Sequence, residues 1–474
     1  MPDAALLDNV RHLAGLQCEL RLWLEAHDAS GADPALAAER AAAARARAEL
    51  RALYAGLFPD AERERVFRAA GAQARAEFLV RERDGALGLR IVRAALRPNE
   101  GHLDELAFVH AVAAAAGVML GSAGVVHLDP DFVRGAGPVD ARALLRHADV
   151  TRDVEFLARD LAKRLESQAR VLAGARPSVE PSPHCRRPQT CGFWKRCTAG
   201  RARDWIGHLP GLRPQNHAAI VEAAVTRIGD LPDALAQTPA QRNAREALAR
   251  GGPVVTPELE AALSALGPSP DFLDFEAIVP ELPLYPGTRP LEPVPFQWSA
   301  HLGEPDGSLR HAEYLAGSGA DPRRGFAETL LEAFAGRVRP VAVYSSFESE
   351  VLELLARVFP ELARELDALR ARLFDLLPVL RRSVYHPEFL GSFSLKRVAP
   401  VLAKGFRFDD LPGIADGGAA ARGWHALARG ELSAADAARV LAELRAYCAR
   451  DSLALAELTR ALRALAAQPA HSVP

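Results

Sequence analysis

Asp271-Phe-Leu-Asp-Phe-Glu276 is the stretch on which the reading of this chain turns. Side chains alternate along a strand, so Asp274 and Glu276 share one face while Leu273 and Phe275 share the other. The apolar pair predicts a strand anchored in a core. Two acids side by side repel each other unless a cation sits between them, and a divalent metal taking oxygen ligands is the usual one. The plain alternative is a strand end with two solvated acids.

Two stretches downstream complete a pattern. Val341-Ala-Val-Tyr-Ser-Ser-Phe-Glu348 predicts a strand, a turn of small residues and an acid, Glu348, at a helix start. Leu444-Arg-Ala-Tyr-Cys-Ala-Arg-Asp-Ser-Leu453 places Tyr447 and Asp451 four apart on a helix, hence on one face. A phenol one turn from a metal-binding carboxylate is suited to holding a water. Nearby, Ser394 reads as an ordinary N-cap and Lys396 as a residue of the helix it opens. Asp375 is expected just after a helix. Phe272, Trp298 and Phe347 read as core rather than as stacking platforms.

The ordered set resembles the DnaQ-like, or DEDD, exonucleases of the RNase H fold, over about residues 270–465. That resemblance implies hydrolysis of DNA or RNA from a 3′ end with two Mg²⁺ or Mn²⁺ ions about 4 Å apart. It implies Asp274, Glu276 and Asp451 as metal ligands, Glu348 in a place where the family usually has Asp, and Tyr447 positioning the attacking water.

The chain has 474 residues, too many for one core, and two or three domains are expected. Apolar content of 49% and charged content of 25% are ordinary for a globular protein, and a net charge of -2 shows no overall basic surface for nucleic acid. The basic residues are nearly all Arg; Lys occurs at 163, 195, 396 and 404. No secretory signal is visible. The charge-free window Leu106–Val126 raises a transmembrane question. Its glycines and His110 favour a buried helix, a turn and a buried strand. A cytoplasmic protein with no membrane partner is expected.

Residues 1–55 read as helices, and Phe78–Val80 and Leu87–Ala94 as a hairpin around Arg83-Asp-Gly85. Residues 150–173 read as one long amphipathic helix. A Pro-rich irregular segment then carries Cys185, Cys191 and Cys197 at Cx5Cx5C spacing. In a reducing compartment such clustering argues for a metal or cluster rather than disulfides. Zinc sites favour CxxC pairs, and wider gaps suit a bulkier iron–sulfur cluster. The fourth thiolate must be Cys18 or Cys448; Cys448, beside Tyr447, reads as a small buried apolar residue.

Here residues 1–200 resemble the RecB-like nucleases with an iron–sulfur staple, which include CRISPR-associated adaptation nucleases. Leu13-Ala-Gly-Leu-Gln-Cys-Glu-Leu20 resembles their N-terminal cysteine piece. The resemblance implies a 4Fe-4S cluster held by Cys18, Cys185, Cys191 and Cys197. It also predicts a Glu-x-Lys on the strand Leu89–Ala95, where this chain has Ile91-Val92-Arg93; Glu77 stands at the earlier acid position. A shifted register would bring in Glu100 or Asp104 instead. The expected architecture is α/β: a restriction-endonuclease-like domain over 1–204 that keeps its staple but not its own hydrolysis, a helical connector over 205–267, and an RNase H-like mixed-sheet domain over 268–474. The pairing resembles an uncharacterised bacterial family with this fusion. Competing expectations are a non-catalytic module binding nucleic acid or a protein partner, and a front domain that still cuts while the rear one regulates.

Overall fold

The computed structural model describes residues 6–411 and 413–468. The protein is mixed α/β and divides into two units: Met1–Gly200 with Pro280–Glu292, and Arg201–Val279 with Pro293–Pro474. The helices of 205–267 lie in the second unit, and the Pro-rich 280–292 segment lies in the first.

The first unit carries a sheet in the order β1 (Glu62–Ala69), β2 (Ala72–Arg81), β3 (Leu87–Val92), β4 (Ser122–Leu128) and β5 (Leu145–Asp149). Pairing is antiparallel except between β3 and β4, which run parallel because the Glu100–Ala115 helix carries the chain back between them. That helix is apolar nearly all round and packs Leu106, Phe108, Val109 and Val112 against Leu79, Leu89, Ile91 and Val125. The Leu106–Val126 window therefore divides into helix, turn and strand, and no helix of the described residues is long and apolar enough to cross a membrane.

Residues 150–173 correct the expectation of one helix. They form two, Thr151–Ala158 and Leu161–Ala173, broken at Arg159-Asp160. Val154, Leu161 and Leu165 still enter one core, so the apolar periodicity runs through a break it cannot reveal.

In the second unit a short pair, β6 (Val254–Val255) with β12 (Val384–Tyr385), stands apart from the main sheet. The main sheet has the order β11 (Leu373–Asp375), β10 (Val341–Val343), β7 (Asp271–Ile278), β8 (Val294–Gly303), β9 (Leu309–Leu315). β7, β8 and β9 are antiparallel neighbours, and β10 and β11 run parallel to β7. Leu273 and Phe275 enter a core with Trp298, Ala300, Phe326, Leu330, Val343 and Leu352. Asp375 is the last residue of β11 and accepts from Leu377 N at 2.9 Å, capping the next helix; it does not follow a helix as expected. Asp271 is fully buried, but Arg337 (2.7 Å) and Gly303 N (3.0 Å) satisfy it, so its role is structural.

Every residue of β8 is buried. The helix Ala434–Ala466 covers the sheet face opposite that core: Gln297 donates to Leu444 O at 2.9 Å, and Ser299 and His301 reach Ser452 Oγ at 2.8 and 2.9 Å. This crossing sets the helix over the acidic face of β7.

Candidate metal centre

Period-two alternation leaves Asp274 and Glu276 on the face that the Ala434–Ala466 helix crosses. Asp451 comes down from that helix, and oxygens of Asp274, Glu276 and Asp451 all lie within 4.8 Å of one another. Among the described residues, these three form the group able to share one ion. The three acids lie 177 positions apart in sequence at most, on two elements only, so sheet and helix packing fix their separation before any ligand arrives.

The electrostatics are those of a site that needs positive charge. Burial and the mutual repulsion of the carboxylates push Asp274 and Glu276 well above the usual carboxylate range. Burial also raises Asp451 to about 6, against the opposing pull of Lys396 and a hydrogen bond from Tyr447. Asp451 Oδ1 is buried with no hydrogen-bond partner. A buried carboxylate oxygen without a donor is costly, and a hard cation is a natural partner for it.

Glu348 opens the helix Phe347–Val358 after β10 and is buried, accepting from Ser345 Oγ at 3.1 Å. Burial raises it to about 7, and Asp375 adds to the rise. It is not one of the three acids that could share an ion, although its charge is felt at Asp274 and Glu276.

Three residues, Lys396, Cys448 and Gly417, act here in ways the sequence did not announce. Ser394 makes no side-chain cap bond, and Lys396 reaches across to Tyr447 Oη at 2.6 Å and to Ala415 O at 2.7 Å. The signal available was compositional: in a chain whose cations are nearly all Arg, a Lys is uncommon. Cys448 is buried as expected, yet its Sγ lies 3.4 Å from Asp274 Oδ2, so it is a weak donor to the site rather than inert packing. Gly417 opens the helix Gly417–Ala428 so close that a Cβ there would stand 3.8 Å from Glu276 Oε2 and 4.0 Å from Tyr447 Oη.

In the first unit, Cys18 precedes the Glu19–His27 helix, Cys185 sits in a 3-10 turn, Cys191 follows it, and Cys197 lies in the short helix Trp194–Thr198. The four line one pocket with Leu20, Leu24, Phe193 and Trp194. The Gln17 side-chain nitrogen lies 2.7–3.1 Å from the carbonyls of His184, Arg187 and Gln189, tying the cysteine loop to the N-terminal helices. Burial raises Cys185 to about 11 and moves Cys18 and Cys197 upward. All four are free thiols, and they do not close to single-ion spacing.

Ile91 is buried in the core of this unit, so it has no access to a ligand. Arg93, next after β3, is buried and bridges Glu77 at 2.7 Å and Glu105 at 2.5 Å. Glu77 also accepts from Val92 N at 3.1 Å. A guanidinium thus stands between the two acids. Glu100 and Asp104 line a different pocket, with Glu19 and Arg164.

A family model described as a domain of unknown function (DUF2779) matches residues 271–394. That span contains Asp274, Glu276 and Glu348 and stops short of Lys396, Tyr447 and Asp451. No curated protein matches the chain. A solved structure described as the crystal structure of SSO0001 is similar at 14% identity over 43% of this chain and 90% of that one, with a TM-score of 0.24, too low to support an argument about fold.

Proposed function

We propose that the second unit is a metal-dependent 3′–5′ exonuclease hydrolysing phosphodiester bonds of DNA or RNA. The observation that carries this reading is the convergence of Asp274, Glu276 and Asp451, with Asp451 Oδ1 buried and without a hydrogen-bond partner and Tyr447 one helical turn from Asp451. The strand order β11-β10-β7-β8-β9, three antiparallel strands continued by two parallel ones, supports an RNase H-like domain. It also supports the resemblance to the DEDD exonucleases.

The donor set suits Mg²⁺ or Mn²⁺: carboxylate oxygens, one of them without any donor, in a pocket whose one nearby ammonium is already engaged. Asp274, Glu276 and Asp451 would hold the metal. When bound, such ions supply charge for the attacking and leaving oxygens of an in-line displacement. The chain's own contribution is orientation. Asp451 and Tyr447 flank the place for a water, and Gly417, lacking a side chain, leaves room beside Glu276 for a strand end.

The first unit, in this reading, is a restriction-endonuclease-like domain that binds or guides nucleic acid without cutting it. Its β1–β5 order with a helix between β3 and β4 supports that fold, and Arg93 already supplies the positive charge a metal would bring to Glu77 and Glu105. Cys18, Cys185, Cys191 and Cys197 would hold a 4Fe-4S cluster. The support for this is that the four line one pocket and that Cx5Cx5C gaps suit a bulkier group than the CxxC pairs of zinc sites.

A second reading, a module that binds nucleic acid without cleaving it, is favoured by the placement of Glu348 with Ser345 rather than in the acid group. Hydrolysis of end-labelled single-stranded DNA and RNA with Mg²⁺ or Mn²⁺ separates the two. Cleavage abolished by Asp274→Ala supports the exonuclease. Binding without cleavage supports the module, and cleavage surviving Asp274→Ala moves the chemistry to the first unit.

A further inference from the structure

Lys396 is half-buried, with its Nζ 4.1 Å from the centre of the Tyr447 ring, 2.6 Å from Tyr447 Oη and 2.7 Å from Ala415 O. The acids Asp451, Glu276, Asp416 and Asp274 surround it. An ammonium donates and never accepts. The phenol oxygen of Tyr447 is therefore the acceptor in this contact, and its single proton must point away from Lys396; Asp451 stands one turn along on the same helix face. Donation at this contact runs one way, from Lys396 to Tyr447. A tyrosine without such a partner is free to turn its O–H to either side. With Lys396 in place one side of the phenol oxygen is closed to its own proton.

We propose that Lys396 is a positioning residue that fixes the donor direction of Tyr447, so that the phenol receives a hydrogen bond from the attacking water instead of giving one. A water that donates to Tyr447 keeps its lone pairs free to face phosphorus. The effect on rate rests on the exonuclease reading above; the hydrogen-bond direction rests on the contacts alone. Lys396 is poorly placed as a simple phosphate clamp, because two of its three donors are already spent on Tyr447 and Ala415.

Two readouts on the full-length protein test this. In the metal-free protein carrying ¹³Cζ-tyrosine, the Tyr447 resonance is the one of six missing from Tyr447→Phe. Lys396→Met should move that resonance and leave the other five in place, which also certifies the fold. In hydrolysis assays, Lys396→Met and Tyr447→Phe should each lower kcat about 10- to 100-fold with little change in KM. The double variant should be no slower than Tyr447→Phe alone. Ethylammonium should restore rate to Lys396→Ala only while Tyr447 is present. An unmoved Tyr447 resonance would overturn the proposal. So would losses that multiply in the double variant with a raised KM, the behaviour of an independent phosphate-binding group. If the wild type cleaves nothing, the exonuclease reading falls, and the resonance still decides whether Lys396 holds Tyr447.

Discussion

Replacing Asp451 by Asn should make the metal-free protein more stable while depriving it of metal. Asp451 is buried, its Oδ1 has no partner, and its carboxyl is raised from 3.8 to about 6 by burial. A folded-state pKa above the unfolded one contributes stability that is complete below the unfolded value and is lost as pH rises through the folded value. The metal-free wild type should therefore weaken between about pH 4 and pH 7, by about 3 kcal/mol from this group. Asn keeps the shape without the charge, and it also relieves Asp274 and Glu276, both pushed up by the Asp451 charge. At pH 8 in EDTA, Asp451→Asn should melt higher by about 6–12 °C, taking about 2–4 °C per kcal/mol for a unit of this size. At pH 4 the advantage should vanish. Saturating Mn²⁺ should reverse the order, because binding at about 1,000 times the dissociation constant adds about 4.1 kcal/mol to the wild type, more than the charge of Asp451 costs it. Calorimetry across pH, with and without Mn²⁺, reads all three conditions. A variant less stable than wild type at pH 8 in EDTA, or equally favoured at pH 4, would refute the idea that these acids are held together against their repulsion for the sake of a cation.

The remaining predictions concern the first unit. Arg93→Met should strand Glu77 and Glu105 against each other without a cation, at a cost of about 3–5 kcal/mol in denaturant unfolding of that unit; a loss under about 1 kcal/mol would mean that Arg93 does not compensate them. Protein purified without oxygen should be brown and contain iron and inorganic sulfide, and Cys191→Ser should bleach it. A colourless protein carrying stoichiometric zinc would refute the cluster.

The acidic face was legible because a strand states its facing with period two: Leu273 and Phe275 could only be core if Asp274 and Glu276 faced away. The Tyr447–Asp451 pairing was legible for the same reason on a helix, where four residues make one turn. What stayed hidden depends on long-range geometry. Nothing local to Ser394-Leu-Lys396 says that the ammonium meets a phenol 51 positions later, and an N-cap was the nearer explanation. The break at Arg159-Asp160 was invisible because both helices bury their apolar residues in one core. The Pro-rich 280–292 segment joins two paired strands of one unit yet belongs to the other, a division that the sequence marks only as a loop. In the first unit the sequence showed an Ile where the resemblance required Glu, but not that Arg93 would fill the gap between Glu77 and Glu105.

The central claim is hydrolysis at the acid group of the second unit, and release of nucleoside monophosphates from 3′-labelled single strands, with Mn²⁺ or Mg²⁺ and beside an Asp274→Ala/Glu276→Ala control, tests it most directly. The account predicts label released one nucleotide at a time, dependent on the metal and absent from the control. Intact label with bound strand, or release that survives the control, would contradict it.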